Sequence, residues 1–263
     1  MPEGDTVART ARRLHAVLAG RPLTVTDFRV PRLATVDLSG RRVLEVAARG
    51  KHLLTRVDGG VTVHTHLRME GSWHVYRAGA RCSAAPGWQI RLVLGNAEWQ
   101  TVGYRLGVVE LVPTAEEARA VGHLGPDVLG PDWDLTAAVS RLRADDTRPV
   151  GDALLDQRAV AGVGNLYRCE ALFLAGVSPW APVASVANLD ALVALARALV
   201  AANVDRPAQV TTGVDRRGER TWVFERPGRP CRRCGTRVAL ARRGPAARVT
   251  YWCPRCQPGP GPR

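Results

Sequence analysis

The sequence predicts a multidomain α+β protein: a leading helix with an antiparallel β-sandwich or barrel behind it, then a helical region, then a β-hairpin carrying four cysteines. Three observations carry this. Short β-branched runs fill residues 23–113, apolar residues at helical spacing dominate 114–203, and two Cys-x-x-Cys pairs lie near the end. The 263 residues suffice for two domains and a small appendage.

Residues 4–19 place Val7, Leu14, Val17 and Leu18 near helical spacing, and Gly20 followed by Pro22 stops the helix. The runs VTDFRV, RRVLEVAA, HLLTRV, VTVHTHL, IRLVL and GVVELV then read as strands, with Asp58-Gly59-Gly60 as a hairpin turn. Six to eight such strands make a sandwich or barrel. TAEEARAVG reads as a helix with Thr114 as N-cap and acids in its first turn, DLTAAVSRLRA reads likewise, and DALLDQ follows Pro149. NLDALVALARALVAAN aligns Leu189, Leu192, Leu195 and Leu199 on one helix face. Gly162 and Gly164 interrupt the periodicity between two helices. Residues 204–230 read as loop with one short strand, TWVFER, and the tail QPGPGPR as disordered. The expected divisions are 2–113, 114–205 and 206–263.

Charge narrows the partner. Lys plus Arg is 37 against 24 for Asp plus Glu, a net +13, which points to a polyanion and first of all to nucleic acid. Arginine inflated by a GC-rich genome is the competing reading. Lys51 is the single lysine of the chain. No apolar run reaches the roughly 18–20 residues of a membrane helix. MPEGDTVART carries acids where a signal peptide needs a basic segment and an apolar core. A soluble cytoplasmic protein without a membrane partner is expected.

Cys231-x2-Cys234 and Cys253-x2-Cys256 each offer two thiolates from one tight turn, and together they complete a tetrahedral zinc site. RVALARRGPAARVTYW between them reads as strand, Gly-Pro turn and strand. Four protein ligands leave no open position, so one structural Zn2+ is expected. Gly162-Val163-Gly164-Asn165 lets the backbone approach a phosphate at a helix start, with Asn165 placed to cap that helix and to donate to a phosphate oxygen. A plain interhelical turn explains the glycines equally.

The chain opens Met1-Pro2-Glu3-Gly4. Methionine before a small residue is ordinarily removed, which leaves Pro2 as a free secondary amine. Such an amine can attack C1′ of a sugar and form an iminium ion. With a pKa near the α-amino value of about 8, roughly a tenth of it is neutral at pH 7. Glu3 beside it is a carboxylate suited to proton transfer. Taken alone, an ordinary start followed by a solvated acid explains the same residues.

These elements occur together and in order. With Arg49-Gly50-Lys51-His52-Leu53-Leu54, His66-Leu67-Arg68-Met69-Glu70-Gly71 and the stretch from Leu154 to Tyr167, the chain resembles the formamidopyrimidine-DNA glycosylase/endonuclease VIII family over essentially its whole length. The resemblance implies an N-terminal antiparallel β-sandwich with a leading helix, a helical domain with a helix–two-turns–helix motif, and a C-terminal β-hairpin zinc finger, with damaged DNA in the cleft between. It implies Pro2 as Schiff-base nucleophile, Glu3 as general acid/base, and Lys51 as a phosphate contact near the lesion. It further implies His66 in the DNA-binding set, Met69 as the side chain that fills the void left by the flipped base, and Asn165 and Arg248 as phosphate contacts.

By the same resemblance the activity is that of a bifunctional DNA glycosylase/AP lyase, cleaving the strand by β,δ-elimination. No small-molecule cofactor is expected, and a monomer is. Gly4 stands where purine-lesion members have Leu, Tyr104 and Leu106 align with their void-filling Arg and Phe, and 211–221 is short for their lesion-covering loop. All three point to oxidised pyrimidines. Oxidised purines are the alternative substrate, and a non-catalytic zinc-finger DNA-binding protein the alternative class.

Overall fold

The computed structural model describes residues 2–243 and 248–262. The chain divides into two units, Met1–His123 and Leu124–Arg263.

The first unit begins with helix α1 (Gly4–Leu18), whose Val7, Ala11, Leu14 and Leu18 turn one face inward while Arg12 and Arg13 stay in solvent. Eight strands follow: β1 (Val25–Phe28), β2 (Val43–Arg49), β3 (His52–Val57), β4 (Val61–His66), β5 (Ser72–Arg77), β6 (Ile90–Gly95), β7 (Trp99–Tyr104) and β8 (Val108–Pro113). They form two four-stranded antiparallel sheets, in the orders β1-β6-β7-β5 and β2-β3-β4-β8. Val43, Val46, Leu53, Val57 and Val63 of one sheet share a core with Phe28, Trp73, Leu92 and Leu94 of the other, and the buried face of α1 joins it. This is the expected β-sandwich with its leading helix, and Asp58-Gly59-Gly60 is the turn between β3 and β4.

Strands β5 and β7 are additions to the six runs legible in the sequence. A register shift between Ile90 and Leu92 turns Ile90 away from the main core. Ile90 instead joins Val93, Val102 and Tyr104 in a satellite cluster, covered by Tyr76, Cys82 and Ala85.

The segment after β8 also departs from expectation. Residues Thr114–Glu116 form one 3-10 turn with Pro113 at its N-cap, and α2 (Ala118–Val121) forms one short helix with Glu117 at its N-cap; neither has a side-chain capping bond, and Thr114 caps neither. The reason is tertiary. Thr114 Oγ1 pairs with Thr62 Oγ1 at 3.0 Å, and Glu117 accepts both prongs of the Arg56 guanidinium at 2.9 and 2.8 Å. These bonds tie the segment to the sandwich, so the first unit runs on to His123 instead of ending at Pro113.

In the second unit α3 (Leu135–Arg143) is capped by Asp134, which accepts from Ala137 N at 3.0 Å. α4 (Val150–Ala153) leads through two turns into α5 (Asn165–Ala175), and α6 (Leu189–Ala201) is capped by Asn188. The α6 face that goes inward is Leu189, Leu192, Val193, Ala196 and Val200, with Leu195 and Leu199 at its margin. β9 (Ala239–Arg243) pairs antiparallel with β10 (Arg248–Trp252) as the expected hairpin, whose Gly244-Pro245 turn lies outside the described residues. Helices and hairpin share one core, in which Cys231, Val238 and Cys253 pack with Tyr167, Phe173 and Val223.

Two expectations fail here for a stated reason. TWVFER is a turn and not a strand, because the buried Glu170 carboxylate takes the backbone N–H groups of Trp222, Val223 and Phe224 that a ladder would use. The tail is tied down at its start: Gln257 is buried and donates to the Val177 carbonyl at 2.9 Å, and Ser178 donates to the Pro260 carbonyl at 2.6 Å. Among the described residues no helix is long and apolar enough to cross a membrane.

Candidate active site and metal centre

Glu3 holds the N-cap position of α1 in extended conformation, and its carbonyl accepts from Val7 N at 3.0 Å. Its side chain makes no capping bond and is 0% exposed, as is that of Asp5 in the first turn. Pro2, one residue earlier, is partly exposed. A partly exposed proline therefore stands directly before a buried carboxylate. The positive end of the α1 dipole favours negative charge at that point.

At one end of the second sheet, the Gly50-Lys51 turn joins β2 to β3, and the register sets His52 opposite both Arg49 and His66. Lys51 thus lies beside the 67–71 loop that leaves β4, close enough to act on His66. Burial, then Arg68 and Lys51, hold His66 down to about 4. His66 Nδ1 accepts from the Arg68 backbone N–H at 2.8 Å, which places the neutral ring's proton on Nε2 and makes that nitrogen a donor. His52 is held lower, to about 3, by burial and then by His66, His64, His123 and Arg68. Its Nδ1 lies 2.8 Å from His64 Nε2, and His64 Nδ1 lies 3.3 Å from the Glu110 carboxylate. Four of the chain's six histidines, His52, His64, His66 and His123, thus cluster beside its only lysine.

The 67–71 loop is closed tightly. Gly71 N bonds to the Leu67 carbonyl at 2.8 Å, and a Cβ on Gly71 would collide with that same carbonyl, so only glycine fits. Met69 at its tip is 65% exposed. Tyr104 and Leu106 differ sharply, at 2% and 6% exposure. Tyr104 lies in the satellite core with its hydroxyl 3.4 Å from that of Tyr76, and Leu106 lies in the sandwich core. Neither can enter a void in a duplex.

In the second unit, Gln157 stitches the two turns: it donates to the Leu155 and Val163 carbonyls and accepts from Gly162 N, where φ is 99° and glycine is favoured. The N-cap of α5 is Gly164, and Asn165 begins the helix without capping it. Its amide instead donates to the Val249 carbonyl at 2.8 Å, next to Arg248 on β10. An amide carries two N–H donors, and the Val249 carbonyl takes one.

Arg168 fixes this contact. Fully buried, it donates to Asn165 Oδ1 at 2.6 Å, to Thr250 Oγ1 at 2.8 Å and to the Val249 carbonyl at 3.3 Å. Asn165 and the strand that carries Arg248 are thus joined by a residue that motif reading passed over. The available signal was two charged residues, Arg168 and Glu170, inside the apolar helix LYRCEALFLA.

The four cysteine sulfurs lie within 4.8 Å of one another, with Cys231 Sγ to Cys256 Sγ at 3.9 Å and Cys234 Sγ to Cys253 Sγ at 3.4 Å. A tetrahedron with Zn–S bonds of about 2.3 Å needs S···S separations of about 3.8 Å, so the donor set fits zinc. Backbone N–H groups of Arg233 and Cys256 donate to Cys231 and Cys253 sulfurs, as suits thiolates. All four ligands come from the protein.

Residues 1–106 match the formamidopyrimidine-DNA glycosylase N-terminal domain, residues 124–212 the H2TH domain of that glycosylase, and residues 228–259 a zinc finger found in FPG and IleRS. The chain is 59% identical over 267 residues to a "Probable endonuclease 8 2" of Streptomyces coelicolor, across 100% of this chain and 96% of that protein. It is 48% identical to "DNA-(apurinic or apyrimidinic site) lyase Nei2" of Mycolicibacterium smegmatis, across 98% and 99%. Lactococcus lactis formamidopyrimidine-DNA glycosylase, solved with DNA containing an AP site, has a TM-score of 0.82 to this chain at 23% identity, covering 98% of this chain and 100% of that one. That likeness is one of fold.

Proposed function

The chain belongs to the formamidopyrimidine-DNA glycosylase/endonuclease VIII family, and on that footing we propose that Pro2, once Met1 is removed, is the nucleophile of a base-excision enzyme directed at oxidised pyrimidines. Its enzyme class is DNA glycosylase with AP lyase activity, acting on damaged DNA and carrying one structural zinc ion. One observation carries the assignment of Pro2: a partly exposed N-terminal proline is followed at once by a carboxylate, Glu3, that is 0% exposed.

C1′ is out of reach in a stacked duplex, so the damaged nucleotide is extruded. Met69 enters the gap, while Lys51 and the Nε2–H of His66 hold phosphate near the lesion. Asn165 and Arg248 grip the backbone from the second unit. The Pro2 nitrogen bonds to C1′ as the glycosidic bond breaks, and the base leaves with its electron pair and a proton. Opening of the sugar ring gives an iminium ion. The iminium acidifies C2′, loss of that proton expels the 3′ phosphate, and a further elimination expels the 5′ phosphate. Glu3 carries protons between these steps.

Gly4, the short 211–221 segment and the endonuclease 8 names of the relatives support the pyrimidine reading. The burial of Tyr104 and Leu106 also supports it, because the side chains that align with the purine enzymes' void fillers are taken up by the core. The enzyme works in the cytoplasm, at the nucleoid. Borohydride trapping on an abasic oligonucleotide, with N-terminal sequencing of the same preparation, tests the nucleophile. A covalent adduct on chains that begin at Pro2 is expected, and no adduct overturns the assignment. Incision across thymine glycol, 5-hydroxyuracil and 8-oxoguanine tests the substrate, and predominant cutting at 8-oxoguanine opposite cytosine overturns the pyrimidine reading.

A further inference from the structure

Trp88 is 76% exposed, the highest value for a large hydrophobic side chain among the described residues, and Met69 follows at 65%. Single apolar residues on a surface are ordinary. What distinguishes Trp88 is the way its backbone is held. It is the centre of the 3-10 turn Gly87–Gln89, and three guanidinium groups from separate segments converge on that turn. Arg91 donates to the Trp88 carbonyl at 3.1 Å, and Arg29 to the Gly87 carbonyl at 3.3 Å. Arg105 donates from Nε to the buried Gln89 Oε1 at 2.7 Å and from its backbone N to the Gln89 carbonyl at 2.8 Å.

The indole therefore stands on a fixed base inside a collar of positive charge. Asp27 on Arg29 and Glu70 on Arg105 are the acids in that collar. The Arg105 guanidinium also reaches Glu70 at 3.3 Å, the neighbour of Met69. One arginine thus bridges the supports of the two most exposed apolar side chains. A rigid aromatic face among arginines is the arrangement that stacks nucleobases, since phosphates meet the charge and every base offers a π-face.

We propose that Trp88 is a stacking platform for the base left unpaired opposite the extruded nucleotide, a role that rests on the glycosylase reading above. Extrusion removes that base's pairing partner and leaves its apolar faces to be covered. Met69 enters on the lesion side, and Arg105 links its loop to the turn that carries Trp88, which leaves the indole for the opposite strand. Stacking of this kind tolerates any base, so Trp88 contributes affinity for the flipped complex and not base preference.

Two measurements on the full-length protein test this. In the first, 5-iodouracil placed opposite a tetrahydrofuran abasic analogue is photolysed with the wild type, and the adduct is mapped by mass spectrometry. Cross-linking to the peptide between Arg81 and Arg91 is expected, lost in Trp88→Leu. In the second, the affinity for the same duplex is measured across a salt series. Trp88→Ala is expected to weaken binding roughly tenfold with an unchanged salt slope, because the ring carries no charge, and Trp88→Phe to recover most of the loss. Melting curves identify any variant that loses its fold. A wild type that does not trap abasic DNA overturns both readings. Trapping with an undiminished Trp88→Ala affinity, or an adduct that maps elsewhere, overturns this one alone.

Discussion

His52, His64 and His66 show how a residue's chemistry follows from its neighbours. A histidine ordinarily titrates near 6.5. Burial and the cationic surroundings hold His52 to about 3 and His66 to about 4, and burial lowers His64 as well. The unfolded chain therefore binds more protons than the folded one once the pH falls below the ordinary histidine range. Stability contributed by the neutral rings is full above about pH 7.5 and is lost progressively as the pH drops toward 4. Melting temperature is expected to fall between pH 7.5 and 5, and His52→Gln to flatten that fall. An equally steep profile in the variant would refute the assignment. In the proposed complex the neutral His66 offers phosphate a hydrogen bond, and Lys51 supplies the charge.

At the scale of elements, α5 organises the second unit. Its Asn165 and Arg168 reach the hairpin, and its Glu170 ends the chain's attempt at a further strand. The Glu170 carboxylate accepts from Trp222 N, Val223 N and Phe224 N at 2.7, 2.8 and 2.9 Å, and from the Thr211 hydroxyl. A carboxamide has one accepting oxygen, and its NH2 would face backbone donors. Glu170→Gln is thus expected to cost about 3 kcal/mol, read as a lowered urea midpoint with the slope unchanged. A midpoint within error of the wild type would show that the turn stands without the charge. The element boundaries that sequence reading located best are those set locally: the capped start of α3 at Asp134, Gly20 as a stop, the Asp58–Gly60 turn. Strands β5 and β7 escaped it because SWHVYR and WQTVGY mix polar and aromatic residues. They are held as strands by pairing with each other, Ser72 opposite Tyr104 through Arg77 opposite Trp99.

Across the whole molecule, the surplus of +13 belongs to a DNA-binding enzyme, and the two residues of the second unit proposed to grip phosphate separate charge from geometry. Arg248→Ala is expected to weaken DNA binding and to reduce the slope of log K against log salt by about 0.9, since one fewer counterion is released. Asn165→Ala is expected to weaken binding at every salt concentration with the slope unchanged, because its amide is neutral. A reduced slope in Asn165→Ala would assign the loss to a displaced Arg248 instead. The sequence by itself determined the family and the zinc-binding cysteine spacing, and it supplied the candidates that the proposal uses: Pro2 and Glu3, the Gly162–Asn165 turn and the isolated Lys51. Such signals survive in a linear string because ligand spacing, a chain terminus and a glycine turn act over a few residues. Only the tertiary structure decided the partners of those groups. It joined Asn165 to a carbonyl 84 positions away, gathered three histidines around His52, buried Tyr104 and Leu106, and left Trp88 in the open. Burial and cross-strand register are properties of packed sheets and helices, and no short window of sequence contains them.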